Sequence, residues 1–373
     1  MVTVLSILDG YRDAELAKKM QSRISRLGDE IGRSILIMHV CGSHEWTITH
    51  HGVRSLLPEN VEVRAGPGCP VCVTPAADID AAVELALGGK TILTYGDMSR
   101  AKGSKHSLAD AKTLGGDVRV IYGVHDAVKI AKSQPAKEFV FFAVGFETTA
   151  PATAYEILEG PPSNLRFLTS YRYVPSAVEA VSRSPDLRVD AFINAGHAST
   201  ITGMKAYRPC FDECHKPMVF SGFEPLDVLI SVAMILEQIR ANEPKMENEY
   251  TRAVTWDGNL KAQETMRKAF DLREGYWRGV ATIPRSALDL RAEFSRLDAR
   301  EHYGLIAKIA SEEFVKNARC ADVIIGKIDP PECPLYMKEC MPAIPIGPTM
   351  VSSEGTCKIW ADHRIISSMR CRV

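Results

Sequence analysis

Short apolar runs rich in β-branched residues recur along the first two-thirds of the chain, with polar or amphipathic stretches between them. This alternation is typical of βα units on parallel sheets. Apolar residues spaced at three and four predict helices over 76–87, 126–132 and 149–158. The predicted strands are 34–40, 61–64, 91–95, 118–122, 139–144, 165–169, 189–193 and 218–220. These strands fit two small α/β sheets better than one wide sheet.

The pattern changes after Gly222. Residues 225–240 read as one long helix, and charges alternate with Leu, Ala and Phe from there to residue 315, which predicts further helices. From residue 317 onward, closely spaced prolines predict irregular backbone.

The predicted fold class is therefore α/β, with two small parallel-sheet domains and a mostly helical or irregular domain. The predicted domains are 30–123, 124–222, and a third formed by 1–29 with 223–373.

Charge and cysteine content narrow the range of functions. The formal net charge is −1, so no global field draws the chain to nucleic acid or to an anionic bilayer. Acidic residues from Asp9 onward argue against a signal peptide, and no run of about 18 apolar residues suggests a membrane span. We therefore expect a cytoplasmic location. Ten cysteines in a reducing compartment indicate metal binding or redox chemistry.

Four cysteines lie close together near the C-terminus, separated by twelve, six and sixteen residues: Cys320, Cys333, Cys340 and Cys357. Irregular, proline-rich backbone lets four thiolates converge on one cluster or one metal ion. Zinc sites favour paired Cys-x-x-Cys motifs, which are absent here, so the spacing favours an iron–sulfur cluster over zinc. Four unrelated buried thiols are the remaining alternative.

Cys41 ends an apolar run and opens the string CGSHEWTITHH, which predicts a position at the carboxyl edge of a strand. A helix starting near Ser43 would lower the pKa of its thiol and make Cys41 a better nucleophile or metal ligand. His44 and Glu45 are candidate partners of this thiol. Each also has an ordinary explanation, because Glu45 complements a first helical turn and single histidines often serve structure alone.

Cys69 and Cys72 form Cys-Pro-Val-Cys, the spacing used by dithiol–disulfide centres. The competing interpretation is half of a zinc knuckle completed by Cys210 and Cys214. Gly66 and Gly68, which precede the motif, would allow a close backbone approach or a positive φ.

Several polar residues follow other predicted strands: Asp97, Glu147, Thr148, Asn194, His197 and Glu224. Together they predict a cleft lined by loops of both sheets, with Cys41 and the Cys69–Cys72 pair on one side.

The strings CGSHEWTI, GPGCPVCVTP, TYGDM, GFETTAP, GFEPLDVL, PPECPLYMKEC and MVSSEG occur in this order over nearly the whole chain. In this respect the sequence resembles the HypD family of hydrogenase maturation factors. The resemblance implies a cytosolic scaffold on which the Fe(CN)₂CO group of [NiFe]-hydrogenase is assembled. It also implies a small partner, HypC, whose N-terminal cysteine shares the iron, and a cyanide donor, HypE, itself supplied by HypF.

The resemblance assigns roles to the cysteines and to three other residues. Cys41 matches the iron-ligating cysteine, Cys69 and Cys72 match the redox-active pair, and the four C-terminal cysteines match the ligands of a [4Fe–4S] cluster. Electrons would enter at the cluster and pass to the dithiol. The family motif positions that would donate or relay protons are His44, Glu45 and Glu147.

The chain departs from the family in its cluster loop. Thr349 stands where many relatives carry Cys, and Tyr336-Met337 stands where Phe-Gly is usual. Thr349 cannot be a ligand, and Cys371 is a possible substitute for one of the four. A stand-alone cluster-dependent dithiol/disulfide reductase is the alternative function, although it leaves CGSHEWTI without a role.

Overall fold

The computed structural model describes residues 10–185, 187–305 and 314–363. Its strands are β1 Ile35–His39, β2 Val61–Ala65, β3 Thr91–Thr94, β4 Val118–Val120, β5 Phe139–Gly145, β6 Leu165–Arg172, β7 Ala191–Ala195, β8 Met218–Ser221, β9 Met246–Asn248, β10 Phe270–Trp277 and β11 Ala281–Leu290. The α-helices are Ala14–Ile31, Gly42–His50, Pro70–Val73, Ala76–Leu87, Gly96–Arg100, Leu108–Thr113, Val124–Ser133, Ala150–Glu159, Val174–Ser182, Gly196–Thr202, Arg208–Cys214, Pro225–Ala241, Leu260–Ala269, Ala299–His302, Cys320–Ile324, Pro348–Val351 and Thr356–Asp362.

The strands form two sheets. The first sheet has the order β2-β1-β7-β8-β9, and all of its pairings are parallel. The second sheet has the order β10-β11-β6-β5-β3-β4; it is parallel from β6 to β4, and β10 and β11 add antiparallel pairings. The predicted α/β fold with two parallel sheets is confirmed, as are the predicted strands and the long helix Pro225–Ala241.

The two faces of β5 show how sequence builds the core. Val140 and Phe142 point into a large apolar core shared by both sheets, whereas Phe139 and Phe141 point into a second core on the opposite face. Every residue of β5 is buried, as expected for a parallel strand covered by helices on both faces. Apolar residues on the outer face of the first sheet pack with the helices Ala14–Ile31 and Pro225–Ala241.

The helical prediction for 241–315 was wrong over β9, β10 and β11. The segment 270–290 forms an antiparallel hairpin, and β11 covers the edge of β6 through Ala287 and Leu288. Pairing with an exposed edge strand is a tertiary interaction that local spacing does not report.

Strand pairing also crosses the predicted boundary between residues 123 and 124. β3 and β4 join β5 and β6 in the second sheet, while β7 and β8 join β1 in the first. A parallel strand needs a crossover connection, and that connection can lead to the other sheet before the chain returns.

Residues 314–363 pack against the carboxyl ends of the strands. The Arg64 guanidinium donates to the Gly326 carbonyl at 3.1 Å, and Arg100 donates to the Val351 carbonyl at 3.2 Å. This segment has its own small core, which contains Cys333, Cys340 and Cys357. Among the described residues, no helix combines the length and apolar character needed to cross a membrane.

Candidate iron-binding site

A cleft of about 470 Å³ opens at the carboxyl ends of strands from both sheets. Cys41 follows β1, and Asp97, Thr148 and His197 follow β3, β5 and β7; all four residues line the cleft. The other polar residues predicted for this cleft lie elsewhere. Asn194 and Glu147 are fully buried in the interior, and Glu224 pairs with Arg12 at 2.6 Å and caps the helix Pro225–Ala241.

Cys41 is the N-cap residue of the helix Gly42–His50, and its own backbone is extended. Burial, followed by the Glu354 carboxylate, raises the pKa of its thiol to about 11. The backbone N–H groups of Ser43 and His44 lower this pKa but do not compensate. The predicted lowering of the Cys41 pKa by the helix was therefore wrong, because desolvation and a nearby carboxylate outweigh the helix N-terminus.

Two glycines allow neighbouring loops to lie directly on Cys41. A Cβ on Gly68 would lie 2.2 Å from the Cys41 backbone nitrogen, and the Gly68 carbonyl accepts from the Gly42 N–H at 3.1 Å. A Cβ on Gly42 would lie 2.5 Å from the Glu354 carbonyl oxygen. The close approach predicted for Gly68 is thus present, and the two loops enclose Cys41 from different sides.

Cys69 and Cys72 are joined by a disulfide across the short helix Pro70–Val73. The Cys72 N–H donates to Cys69 Sγ at 3.2 Å. Cys72 Sγ lies 3.8 Å from the carbonyl oxygen of Pro348, and Pro70 lines the cleft. The disulfide therefore lies between the cleft of Cys41 and the C-terminal segment.

The four C-terminal cysteines line one cavity with apolar residues of the same segment. Thr349 Oγ1 donates to Cys357 Sγ at 3.2 Å, and the Ile346 N–H donates to Cys340 Sγ at 3.4 Å. A Cβ on Gly347 would lie 2.2 Å from Cys320 Sγ. Four thiols that line one cavity, hydrogen bonds to sulfur and apolar surroundings form a donor set whose chemistry fits an iron–sulfur cluster. Within the described ranges, no group of three or more His, Cys, Asp or Glu side chains is arranged to hold a single metal ion.

The electrostatics of this cavity disfavour free thiolates. Burial and then the neighbouring thiols raise the pKa of Cys320 to about 12 and that of Cys357 well above its usual value. Thiolates in this cavity therefore require a cation for charge compensation, which iron would supply. Thr349 has the role of a hydrogen-bond donor here, and Cys371 lies outside the described residues.

His44 is fully buried and held by backbone carbonyls. Its Nε2 lies 2.8 Å from the Gly222 carbonyl oxygen, so this nitrogen must carry a proton and donate it. Burial, followed by His39, lowers the pKa of His44 to about 3, and the ring is neutral at physiological pH. Its Nδ1 is buried without a hydrogen-bond partner among the described residues. His44 thus offers a free acceptor next to the turn that carries Cys41.

Glu45 is a fully bonded, ionised carboxylate. It receives hydrogen bonds from Arg54, Thr49 and Trp360 at 2.6–2.9 Å and lies 2.8 Å from His39 Nε2. Burial acts to raise its pKa, but Arg54 and His39 outweigh burial and hold the pKa well below its usual range. Because Trp360 belongs to the C-terminal segment, Glu45 ties that segment to the helix following Cys41.

Glu147 is fully buried and has one free oxygen. Its Oε1 accepts from the Val174 N–H at 2.7 Å, whereas Oε2 is without a partner among the described residues. Burial raises the pKa of this carboxyl to about 8. Its chain neighbours Phe146 and Thr148 line the cleft, so a protonated acid lies just behind the cleft wall.

The cleft also contains residues that the sequence did not single out as site residues: Ser352, Ser353 and Glu354. Asp97 accepts from both the N–H and the hydroxyl of Ser353, at 2.7 and 2.8 Å. The string MVSSEG was the available signal, since it is a motif of the resemblance with no assigned task. Cys210 and Cys214 lie in neither the cleft nor the cysteine-lined cavity.

Nearly the whole chain is similar to known hydrogenase formation proteins. The sequence model of HypD, described as the Hydrogenase formation hypA family, matches residues 15–364. The chain is 43% identical over 357 residues to a putative hydrogenase expression/formation protein of Methanocaldococcus jannaschii. The aligned residues cover 95% of this chain and 99% of the relative. It is also 38% identical to the hydrogenase maturation factor HypD of Rhizobium leguminosarum, over 98% of this chain and 98% of the relative. The identity to the hydrogenase maturation factor HypD of Escherichia coli strain K12 is likewise 38%, over 96% of this chain and 98% of the relative.

Proposed function

The chain belongs to the HypD family of hydrogenase maturation factors, and from this premise we propose that it is the cytoplasmic scaffold on which the Fe(CN)₂CO group is assembled. Cys41 binds the iron that is the cargo of this assembly. The observation that carries the proposal is the position of Cys41 at the cleft, between the Cys69–Cys72 loop and Glu354.

The chemistry of the cleft suits iron. A thiolate is a soft ligand and is appropriate for an iron atom that is to carry cyanide and CO. The Cys41 thiol keeps its proton at neutral pH, because its pKa is raised to about 11, and binding a cation would release that proton. The carboxyl groups of Asp97 and Glu354 line the same cleft and would favour a divalent cation.

The Cys69–Cys72 pair acts on redox state. Its reduction takes up two electrons and two protons and converts the disulfide to two thiols. Cys320, Cys333, Cys340 and Cys357 would hold a [4Fe–4S] cluster, which supplies electrons one at a time when bound. The position of Cys72 against Pro348, whose neighbours Gly347 and Thr349 line the cysteine cavity, supports this assignment.

Protons would come from groups beside the cleft. Glu147 is a neutral acid with a free oxygen, so it suits donation of a proton toward the cyanide-derived ligand. The free Nδ1 of neutral His44 is an acceptor, so His44 would relay a proton that it receives from another group. Glu45 has no free oxygen for this task, and we assign it instead to positioning of the helix Gly42–His50.

The partners follow from the same proposal. HypC would contribute a second cysteine to the iron at Cys41, and HypE, supplied by HypF, would donate cyanide. A cleft open to solvent is what such exchange requires, because the iron must enter, receive ligands and leave. A stand-alone dithiol reductase would need only the disulfide and the cluster, and would be indifferent to Cys41.

Complementation separates these two functions. A strain lacking its own HypD is supplied with this chain, with Cys41→Ala, or with Cys214→Ala as a matched thiol control outside the cleft, and hydrogenase activity is measured. We expect activity with the wild type and Cys214→Ala and none with Cys41→Ala; full activity of Cys41→Ala would overturn the scaffold.

Independently, the anaerobic protein should contain about four iron and about four acid-labile sulfide per chain. About one zinc with no iron would refute the cluster.

A further inference from the structure

The helix Arg208–Cys214 carries two thiols one turn apart, outside the proposed iron site. Cys210 is buried in the large apolar core, where its Sγ lies 3.5 Å from Ser182 Oγ. Cys214 is the last helical residue and is only half-buried. Their side chains lie on the same face of the helix, because the two residues are four positions apart. One thiol is thus held inside while its neighbour reaches solvent.

The surroundings of Cys214 stabilise a thiolate. The neighbouring Cys210 thiol, followed by the N–H and the ammonium group of Lys216, lowers the pKa of Cys214 in spite of partial burial. The neighbouring Cys214 thiol and burial raise the pKa of Cys210. The pair therefore divides into an accessible nucleophile and a buried thiol that keeps its proton.

We propose that Cys210 and Cys214 form a second redox pair, distinct from Cys69 and Cys72, and that its oxidising substrate is a peroxide. The Cys214 thiolate attacks one peroxide oxygen; the O–O bond breaks, Cys214 becomes a sulfenic acid, and the other oxygen leaves as water after taking a proton. The Cys210 thiol then attacks the sulfenic sulfur, the S–O bond breaks and a second water leaves. In total, two thiols and one hydrogen peroxide give one disulfide and two waters.

The backbone permits this closure. Side chains four residues apart on a helix have Cβ atoms about 5–6 Å apart, whereas a disulfide needs about 3.5–4.5 Å. The difference can be absorbed at the helix end, because Cys214 is its last residue and His215 already adopts a left-handed conformation with φ of 48°. Only the final turn has to tighten, while Cys210 remains fixed in the core.

The wild-type full-length chain, purified anaerobically, provides the first test. It is treated with less than one equivalent of hydrogen peroxide and digested without reduction, and the peptides are mapped by mass spectrometry. We expect a Cys210–Cys214 disulfide, and in Cys210→Ala a sulfenic acid at Cys214 that dimedone traps. The absence of any Cys210–Cys214 disulfide at this peroxide dose overturns the proposal, and this test needs no variant to fold.

The second test is the pH profile of Cys214 alkylation by iodoacetamide. In the wild type the rate should reach half of its plateau at a lower pH than in Cys210→Ala, whose midpoint should lie at about 8.5. Ser182→Ala, which keeps both thiols, should keep the low midpoint. Identical midpoints in the wild type and a folded Cys210→Ala overturn the pairing. The pair takes no part in hydrogenase maturation as proposed above, so failure here leaves the iron site untouched.

Discussion

Replacement of Glu147 by glutamine should remove a pH dependence from the stability of the protein. Glu147 is fully buried, and its carboxyl has a pKa of about 8 in the folded chain against 4.5 for an ordinary glutamate. Between these two pH values the unfolded chain loses the proton and the folded chain keeps it. The folded state is therefore stabilised fully below pH 4.5, and this contribution is lost as the pH rises to 8.

The magnitude follows from the width of that interval. Each pH unit between the two pKa values lowers the free energy of unfolding by about 1.4 kcal/mol. Ionisation of Glu147 alone should therefore lower the free energy of unfolding of the wild type by about 5 kcal/mol over this interval. The amide of Glu147→Gln can accept the same Val174 N–H and binds no proton, so the variant should lack this slope. Its absolute stability is less informative, because the free Oε2 position is replaced by an unpaired NH₂.

Urea unfolding at a series of pH values from 4 to 9 measures this difference. The free energy of Glu147→Gln minus that of the wild type should rise with pH by about 5 kcal/mol and level off near pH 8. Glu84→Gln, at an exposed glutamate, controls for removal of a surface carboxyl. Parallel pH curves for Glu147→Gln and the wild type would refute the neutral buried acid, and with it the proposed proton donor.

Two glycine positions give further predictions. Gly68→Ala places a methyl group 2.2 Å from the Cys41 nitrogen, so it should abolish hydrogenase maturation without loss of iron and sulfide from the cluster. Gly123→Ala, whose Cβ would meet no atom within 4 Å, should keep this activity. Equal activity of both variants would contradict the close packing of Gly68 on Cys41. Met337 has φ of 53°, in the left-handed region that favours glycine, so Met337→Gly should raise the free energy of unfolding by about 1 kcal/mol in urea titration. An equal gain from Met337→Ala would exclude backbone strain as its cause.

The sequence predicted those features that depend on local pattern. The strands of both sheets appear as β-branched runs, and polar residues after β1, β3, β5 and β7 predicted a cleft at their carboxyl ends. The hairpin of β10 and β11 was missed, because its stability comes from pairing with β6.

The properties of individual site residues depend on contacts distant in sequence. Glu45 is bound by Trp360, and the pKa of Cys41 is raised in part by Glu354. Neither partner lies near the residue it affects in the chain. The local sequence therefore predicted a lowered pKa for Cys41, and the resemblance placed Glu45 among the residues that transfer protons. The protonation states of these two residues therefore depend on the folded structure.

Infrared spectroscopy tests the binding of iron at Cys41 most directly. The chain is purified anaerobically with HypC, and the spectrum is recorded in the region of cyanide and CO stretching vibrations. Bands from both ligands should be present in the wild type and in Cys214→Ala, and absent in Cys41→Ala. A wild-type complex without these bands, or a Cys41→Ala complex that retains them, would contradict the assignment of Cys41 as the iron ligand.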